Sequence, residues 1–252
     1  MSQYPTIFER PADLLWRSEG ARAASEMAAF SASLPGLLAG EPGDGHGVLV
    51  LPGFLADDLS TLPLREVLRA RGYRAEAWRL GTNIGPTPTL WSGALRKLAE
   101  LYGATGRTVS LIGQSLGGIF AREIARRFPE RVRQVITLGS PYRLTATDPP
   151  SVTSVGHLYH ALKRLHTDTF TGMGREEDRA VLQMPATSIY SKLDGVVPWQ
   201  ACIDLNNAAA ENIEVASSHC GMGFHPAVIR IVLDRLAQPE DAWAPYAGDA
   251  AT

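Results

Sequence analysis

The sequence predicts an α/β fold: a mostly parallel sheet of about six strands with helices on both faces. Three observations carry that expectation. Short apolar runs alternate with helical stripes from Val48 to Leu236. Runs such as Val48-Leu49-Val50-Leu51 are apolar at every position, as strands buried on both faces are. The composition, 45% hydrophobic and 20% charged over 252 residues, is that of a folded chain and excludes a disordered or collagenous one.

The elements follow in order. Up to Gly40 the pattern is helical, with Leu14, Leu15, Trp16, Met27, Phe30 and Leu34 loosely spaced among alanines, and Gly40, Pro42, Gly43, Gly45 and Gly47 break it. Val48–Leu51 is the first strand and ends at Pro52-Gly53. Leu59, Leu62, Val67 and Leu68 mark a helix that stops near Gly72, and Tyr73 to Leu80 alternates in part, as a strand does. Leu90 or Trp91, with Ala94, Leu95, Leu98, Leu101 and Tyr102, forms a helical stripe. Thr108–Ile112 is a strand, Leu116–Phe128 a helix stopped by Pro129, and Val132–Leu138 a strand. Ala186–Tyr190 and Ile213–Ala216 complete the strands. Pro226 opens a last helix through Leu236, and the polar tail from Gln238 is expected to be loosely held.

No internal repeat and no Pro-, Gly- or Ser-rich linker divides the chain, so residues 1–252 are expected to form one domain. Residues 141–183 are too long for a plain connection. Within them Val155, Leu158, Leu162 and Leu165 mark one helical face, and the segment is expected to be a cap over a site.

Charge and targeting signals narrow the function. The 24 Lys and Arg against 26 Asp and Glu leave no basic excess for phosphates, so nucleic acid is not an expected partner. The longest uncharged apolar stretch, Gly47–Leu55, is about half the length a bilayer crossing needs. The start, MSQYPTIFERPAD, has no signal-peptide pattern. Cys202 and Cys220 give no metal-ligand spacing and at most one disulfide, which fits a reducing, cytoplasmic compartment.

Gly113-Gln114-Ser115-Leu116-Gly117 fits G-x-S-x-G, lying between a predicted strand and a predicted helix, the context the motif requires. A serine in a strained turn stands clear of the backbone, and the residues two before and two after it must be small because they crowd neighbouring chain. Ser115 is therefore the candidate nucleophile, at a helix N-terminus that favours a developing anion. A serine hydroxyl needs a base held by a third group. On such an elbow the acid and then the histidine follow in the chain. His46 precedes the serine, and His157, His160 and His166 lie in the expected cap. His219 follows the strand Ile213–Ala216 on a loop and is preferred to His225, which adjoins Pro226 at a helix start. Asp194, after the strand Ala186–Tyr190, is the expected acid, with Asp204 in reserve. The oxyanion hole needs two backbone amides. Leu116 supplies one, and Phe54, with Leu55 second, supplies the other.

Taken together, VLVLPGFLADD, VSLIGQSLGGIFAREIA, YSKLDGVVP and SSHCGMGFHPAV resemble the α/β-hydrolase superfamily, in particular its compact lipase- and esterase-like members. The resemblance covers about 170 residues, from Val48 to Leu236. It implies ester, thioester or related acyl chemistry with no metal or organic cofactor. The expected activity is hydrolysis of a small-molecule carboxylic ester with an apolar portion, through an acyl-enzyme. A thioesterase or acyltransferase would use the same residues, and a non-catalytic binding protein could share the scaffold. Two departures stand out: Pro52-Gly53 replaces the His-Gly of many lipase relatives, and no strand precedes Val48.

Other features are read more plainly. Arg122, Arg126, Arg127, Arg131 and Arg133, mixed with Glu123 and Glu130, are expected to form a solvated face. Cys220 is expected to be a buried small residue. The turn-rich segment Gly81–Pro86 either lines the pocket or fixes a loop.

Overall fold

A computed structural model describes residues 8–167, 170 and 172–248. The first seven residues of the chain, the last four, and residues 168, 169 and 171 of the expected cap lie outside the described residues. Helix α1 (Asp13–Leu38) precedes strand β1 (Gly47–Leu51). Then come α2 (Leu62–Ala70), β2 (Arg74–Ala77), α3 (Pro88–Thr105), β3 (Val109–Gln114), α4 (Leu116–Arg127) and β4 (Val132–Leu138). A long segment with one short helix, α5 (Gly156–Leu162), leads to β5 (Ala186–Tyr190), β6 (Ala210–Glu214) and α6 (Pro226–Ala237).

Among the described residues the strands form one sheet in the order β2-β1-β3-β4-β5-β6, every neighbouring pair parallel. The predicted α/β class and strand number are those observed. Alternate residues of the wholly buried strands feed two cores. Val48, Val50, Ile112 and Ile136 pack with Leu64 and Leu68 of α2 and with Val228 and Val232 of α6, whereas Leu49, Leu51 and Leu111 pack with Leu98 of α3 and with Phe120 and Ile124 of α4. Helix α3 shows how local sequence sets a boundary. Thr87 caps it by accepting from the Leu90 N–H at 3.2 Å, Pro88 occupies its first turn, and Gly106 ends it at φ 65°.

The chain leaves β1 for β2 on one side and then crosses to β3 on the other. The loops after β1 and β3 therefore flank a crevice at the carboxyl ends of adjacent strands, where sheets of this kind hold ligands.

Three expectations are corrected. β2 stops at Ala77, because Trp78 turns inward to donate its ring N–H to the Gly81 carbonyl at 3.0 Å and Arg79 adopts φ 56°. β6 begins at Ala210 rather than Ile213; as an edge strand it buries Ile213 alone, so apolar content marks its end and not its start. The tail is held through Tyr246, whose N–H donates to Glu211 at 2.6 Å and whose ring lies against Arg235. Among the described residues no helix is long and apolar enough to cross a membrane.

Candidate active site

β3 ends at Gln114, and the chain turns into α4 through Ser115 at φ 51°, ψ −121°. A non-glycine residue is strained there. The strain is held by the Ser115 N–H, which donates to the Leu138 carbonyl at 2.8 Å, and by the Ser115 carbonyl, which accepts from the Gly118 N–H at 3.0 Å. The flanking glycines are sterically required. A Cβ on Gly113 would lie 2.3 Å from the Gly117 backbone, and one on Gly117 would lie 2.2 Å from the Leu51 carbonyl.

The loops after β5 and β6 bring Asp194 and His219 together. His219 Nδ1 lies 2.6 Å from Asp194 Oδ2, and both residues are buried. The other carboxylate oxygen accepts from the N–H groups of Val196 and Val197 at 2.7 and 2.8 Å, which fixes the acid's orientation. Burial draws the imidazole pKa of His219 down, but the charge and hydrogen bond of Asp194, with the charge of Glu19, outweigh it and hold the ring above its usual value. The reserve acid is committed elsewhere: Asp204 pairs with Arg122 at 2.7 Å and accepts from the N–H groups of Asn206 and Asn207. His225 caps α6 by accepting from the Ala227 N–H.

The side-chain amide of Gln114 donates to the His219 carbonyl at 3.0 Å, which ties the histidine loop to the residue before Ser115. Gly139, after β4, lies against the acid–histidine pair; a Cβ there would stand 3.2 Å from both Asp194 Oδ2 and His219 Nδ1. Asp194 and His219 are in contact, whereas among the described residues Ser115 Oγ takes part in no hydrogen bond. Such contacts commonly form only once substrate is bound.

The loop after β1 faces the elbow. A Cβ on Gly53 would stand 3.3 Å from that of Ser115. The Leu55 N–H is used, donating to the Asn83 carbonyl at 2.8 Å. The N–H groups of Phe54 and Leu116 take part in no hydrogen bond among the described residues. Ser115, Leu116 and Phe54 border a cavity of about 160 Å³ whose other walls include Ile119, Leu144, Val155, Tyr159, Phe170 and Met173. Asp148, His160, Lys163 and His166 add polar groups to the lining.

No family model matches this sequence, and no curated protein matches it. Solved structures do. Lipase B of Aspergillus fumigatus is 15% identical, with a TM-score of 0.62 over 78% of this chain and 54% of that one, so the match spans about half of that enzyme. The pyrethroid hydrolase PytH is 16% identical, with a TM-score of 0.56 over 79% of this chain and 100% of that one. The LipS and LipT lipolytic enzymes give a match at 16% identity and a TM-score of 0.52, over 78% and 95%. This chain has the α/β-hydrolase fold.

Within the α/β-hydrolase scaffold, Gly81–Pro86 does not line the cavity but braces two loops. Asn83 is fully buried and donates its side-chain amide to the Pro52 carbonyl at 2.8 Å, and its Oδ1 accepts from the Gly85 N–H. On the other side, His166 Nε2 meets the Ile84 carbonyl at 3.0 Å and the Thr167 N–H donates to the Pro86 carbonyl. In the sequence this segment is marked by its density of turn residues, which does not distinguish a pocket wall from a brace.

The arginine patch is not a solvated face throughout. Arg122 is 2% exposed, binds Glu176 and Asp204, and lies 4.0 Å from the Tyr142 ring centroid. Arg126 bridges Glu123 and Glu176, and Arg133 is buried against Asp44 at 3.0 Å. The carboxylates that bury these arginines come mostly from distant sequence, and Glu176 anchors the end of the long segment to α4. Cys220 is exposed rather than buried, and Cys202 is the buried cysteine.

At the opposite end of the sheet lies a second grouping of the same residue types. His46 Nδ1 meets Asp44 at 2.5 Å, and His46 Nε2 meets Ser110 Oγ at 2.8 Å. Ser110 and His46 are fully buried within the fold, and burial holds the His46 imidazole below its usual pKa.

Proposed function

We propose that this chain is a serine hydrolase of carboxylic esters in which Ser115, His219 and Asp194 form a catalytic triad. The observation that carries the reading is the strained Ser115 on the wall of a largely apolar cavity, next in the chain to Gln114, whose side-chain amide holds the carbonyl of the Asp194-paired His219. The lipase, hydrolase and lipolytic enzymes of similar fold support the reaction class.

In this reading Ser115 Oγ attacks the ester carbonyl carbon while His219 Nε2 takes its proton. The carbonyl oxygen becomes an oxyanion held by the N–H groups of Phe54 and Leu116, both without a hydrogen-bond partner among the described residues. The intermediate collapses and the C–O bond to the alcohol breaks. The alcohol leaves with the proton from His219, and the acyl group stays on Ser115. Water, deprotonated by His219, then attacks the acyl-enzyme; the carboxylic acid leaves and Ser115 regains its proton. Asp194 keeps the Nδ1–H tautomer and stabilises the imidazolium. No step calls for a metal or organic cofactor.

Residues 141–183 act as the cap of a single-domain enzyme. Val155 and Tyr159 line the cavity, and Tyr159 meets Phe54 edge-on at 5.4 Å between ring centroids. The lining fits a small-molecule ester with an apolar acyl or alcohol portion.

Labelling with a fluorophosphonate and mapping the modified peptide tests the proposal. The expected result is one phosphonylated site at Ser115, no labelling in Ser115→Ala, and loss of ester turnover there on the order of 10⁶-fold. Label on another residue, or near-normal turnover in Ser115→Ala, overturns it.

A further inference from the structure

We propose that Glu19, on α1, is a positioning residue of this active site, holding the acid loop and the histidine loop together from outside the sheet; the proposal rests on the triad reading above. Glu19 is 4% exposed. Its Oε1 accepts from the N–H groups of Gly195 at 2.8 Å and His219 at 3.1 Å, and its Oε2 accepts from the Cys220 N–H at 3.1 Å. Gly195 follows Asp194 directly. One carboxylate therefore joins the backbone beside the acid to the backbone of the histidine, across two loops that leave different strands. Hydrogen bonds to an ionised carboxylate are stronger than neutral ones, and Arg22 offsets the buried charge from 2.7 Å.

The rest of α1 fits the same task. Glu26 is seven residues on, about two helical turns, and so lies on the same face. It accepts from the Ser218 N–H at 2.6 Å and from the Ser218 hydroxyl at 2.5 Å. The approach is close at both contacts: a Cβ on Gly195 would fall 2.5 Å from the Leu15 backbone, and one on Gly221 would fall 1.5 Å from Glu26. Arg22 also donates to the Leu193 carbonyl. Asp194 and His219 meet at 2.6 Å because both loops are fixed to one helix.

Charge separates this role from plain stabilisation. The charged or titratable groups around His219 are Asp194 on the acid loop, Glu19 with its partner Arg22 and Glu26 on α1, and Cys220 beside it. Glu19 is one of the charges that favour the imidazolium. Removing it makes His219 less basic.

The test compares Glu19→Gln and Glu19→Asp in the full chain, reading kcat, KM, the pH profile and Tm. Glu19→Gln keeps the reach and loses the charge. It is expected to lower kcat on the order of 10-fold with KM within about twofold, and to move the acid limb of kcat/KM to lower pH. Glu19→Asp keeps the charge and loses the reach; its kcat falls at least as far while the acid limb stays near that of the parent. A folded Glu19→Gln with the parent kcat and pH profile overturns the proposal. So does failure of both variants to fold, which assigns Glu19 to stability alone. A parent protein that neither turns over esters nor labels at Ser115 defeats the triad reading itself, and this proposal with it.

Discussion

The side-chain amide of Asn83 donates to the carbonyl of Pro52, 2.8 Å away and one residue before Gly53. The same residue's carbonyl occupies the Leu55 N–H, and its own N–H donates to the Ala56 carbonyl. Asn83 thus fixes the loop on both sides of Phe54 and leaves that amide free. Asn83→Ala is expected to reduce kcat roughly 10- to 100-fold, because an oxyanion donor acts only where it is correctly placed. The lost buried bond should also cost about 1–3 kcal/mol of stability. Steady-state kinetics and urea denaturation on one preparation check both.

The pH dependence has a defined sign. His219 must be neutral to accept a proton, and its imidazole is held above the ordinary 6.5. Turnover is therefore expected to fall as pH drops through a value higher than 6.5. Asp194→Asn removes the main opposing charge and should move that limb to lower pH while slowing turnover. For folding, a raised histidine contributes stability that is full below its unfolded pKa and is lost as pH rises through the folded one. A pH series of kcat/KM and of Tm measures both.

The elbow gives a steric prediction. Gly117→Ala would drive a methyl group against two backbone carbonyls, those of Leu51 and Pro52, neither of which can rotate away. A loss of about 1–3 kcal/mol is expected, together with loss of fluorophosphonate labelling. Gly20, in α1, has nothing within 4 Å of such a methyl. There Gly20→Ala is expected to stabilise the fold by about 0.5–1 kcal/mol, seen as a higher Tm.

Arg122 links α4, the long segment and the loop after β5 through Glu176 and Asp204. Burial alone would raise the Asp204 carboxyl pKa; Arg122 and two loop amides hold it below its usual range. Arg122→Leu leaves the buried Asp204 without its cationic partner, while Glu176 keeps Arg126 and Arg179, and is expected to cost about 3–5 kcal/mol. The released segment should also weaken binding of apolar esters, seen as a raised KM in any protein that remains folded.

Most of the fold could be read from the sequence because buried parallel strands are apolar at every position, as Val132–Leu138 is. The contact between Asp194 and His219 could be read because chain order and loop position constrain them. Glu19 and Asn83 could not, since both act on backbone groups that carry no sequence signal. The burial of Arg122 is not legible for a related reason: its carboxylate partners lie 54 and 82 residues away.

The Asp44–His46–Ser110 grouping teaches a different lesson about this sheet. Matched by residue type and spacing alone, it passes for a second reaction centre. It sits where strands begin, with His46 and Ser110 fully buried, Asp44 at the surface, and none of the three bordering the cavity of Ser115. In the proposed reading, chemistry depends less on owning three suitable groups than on which rim of the sheet carries them, since the cavity of about 160 Å³ is bordered by Ser115 and not by Ser110.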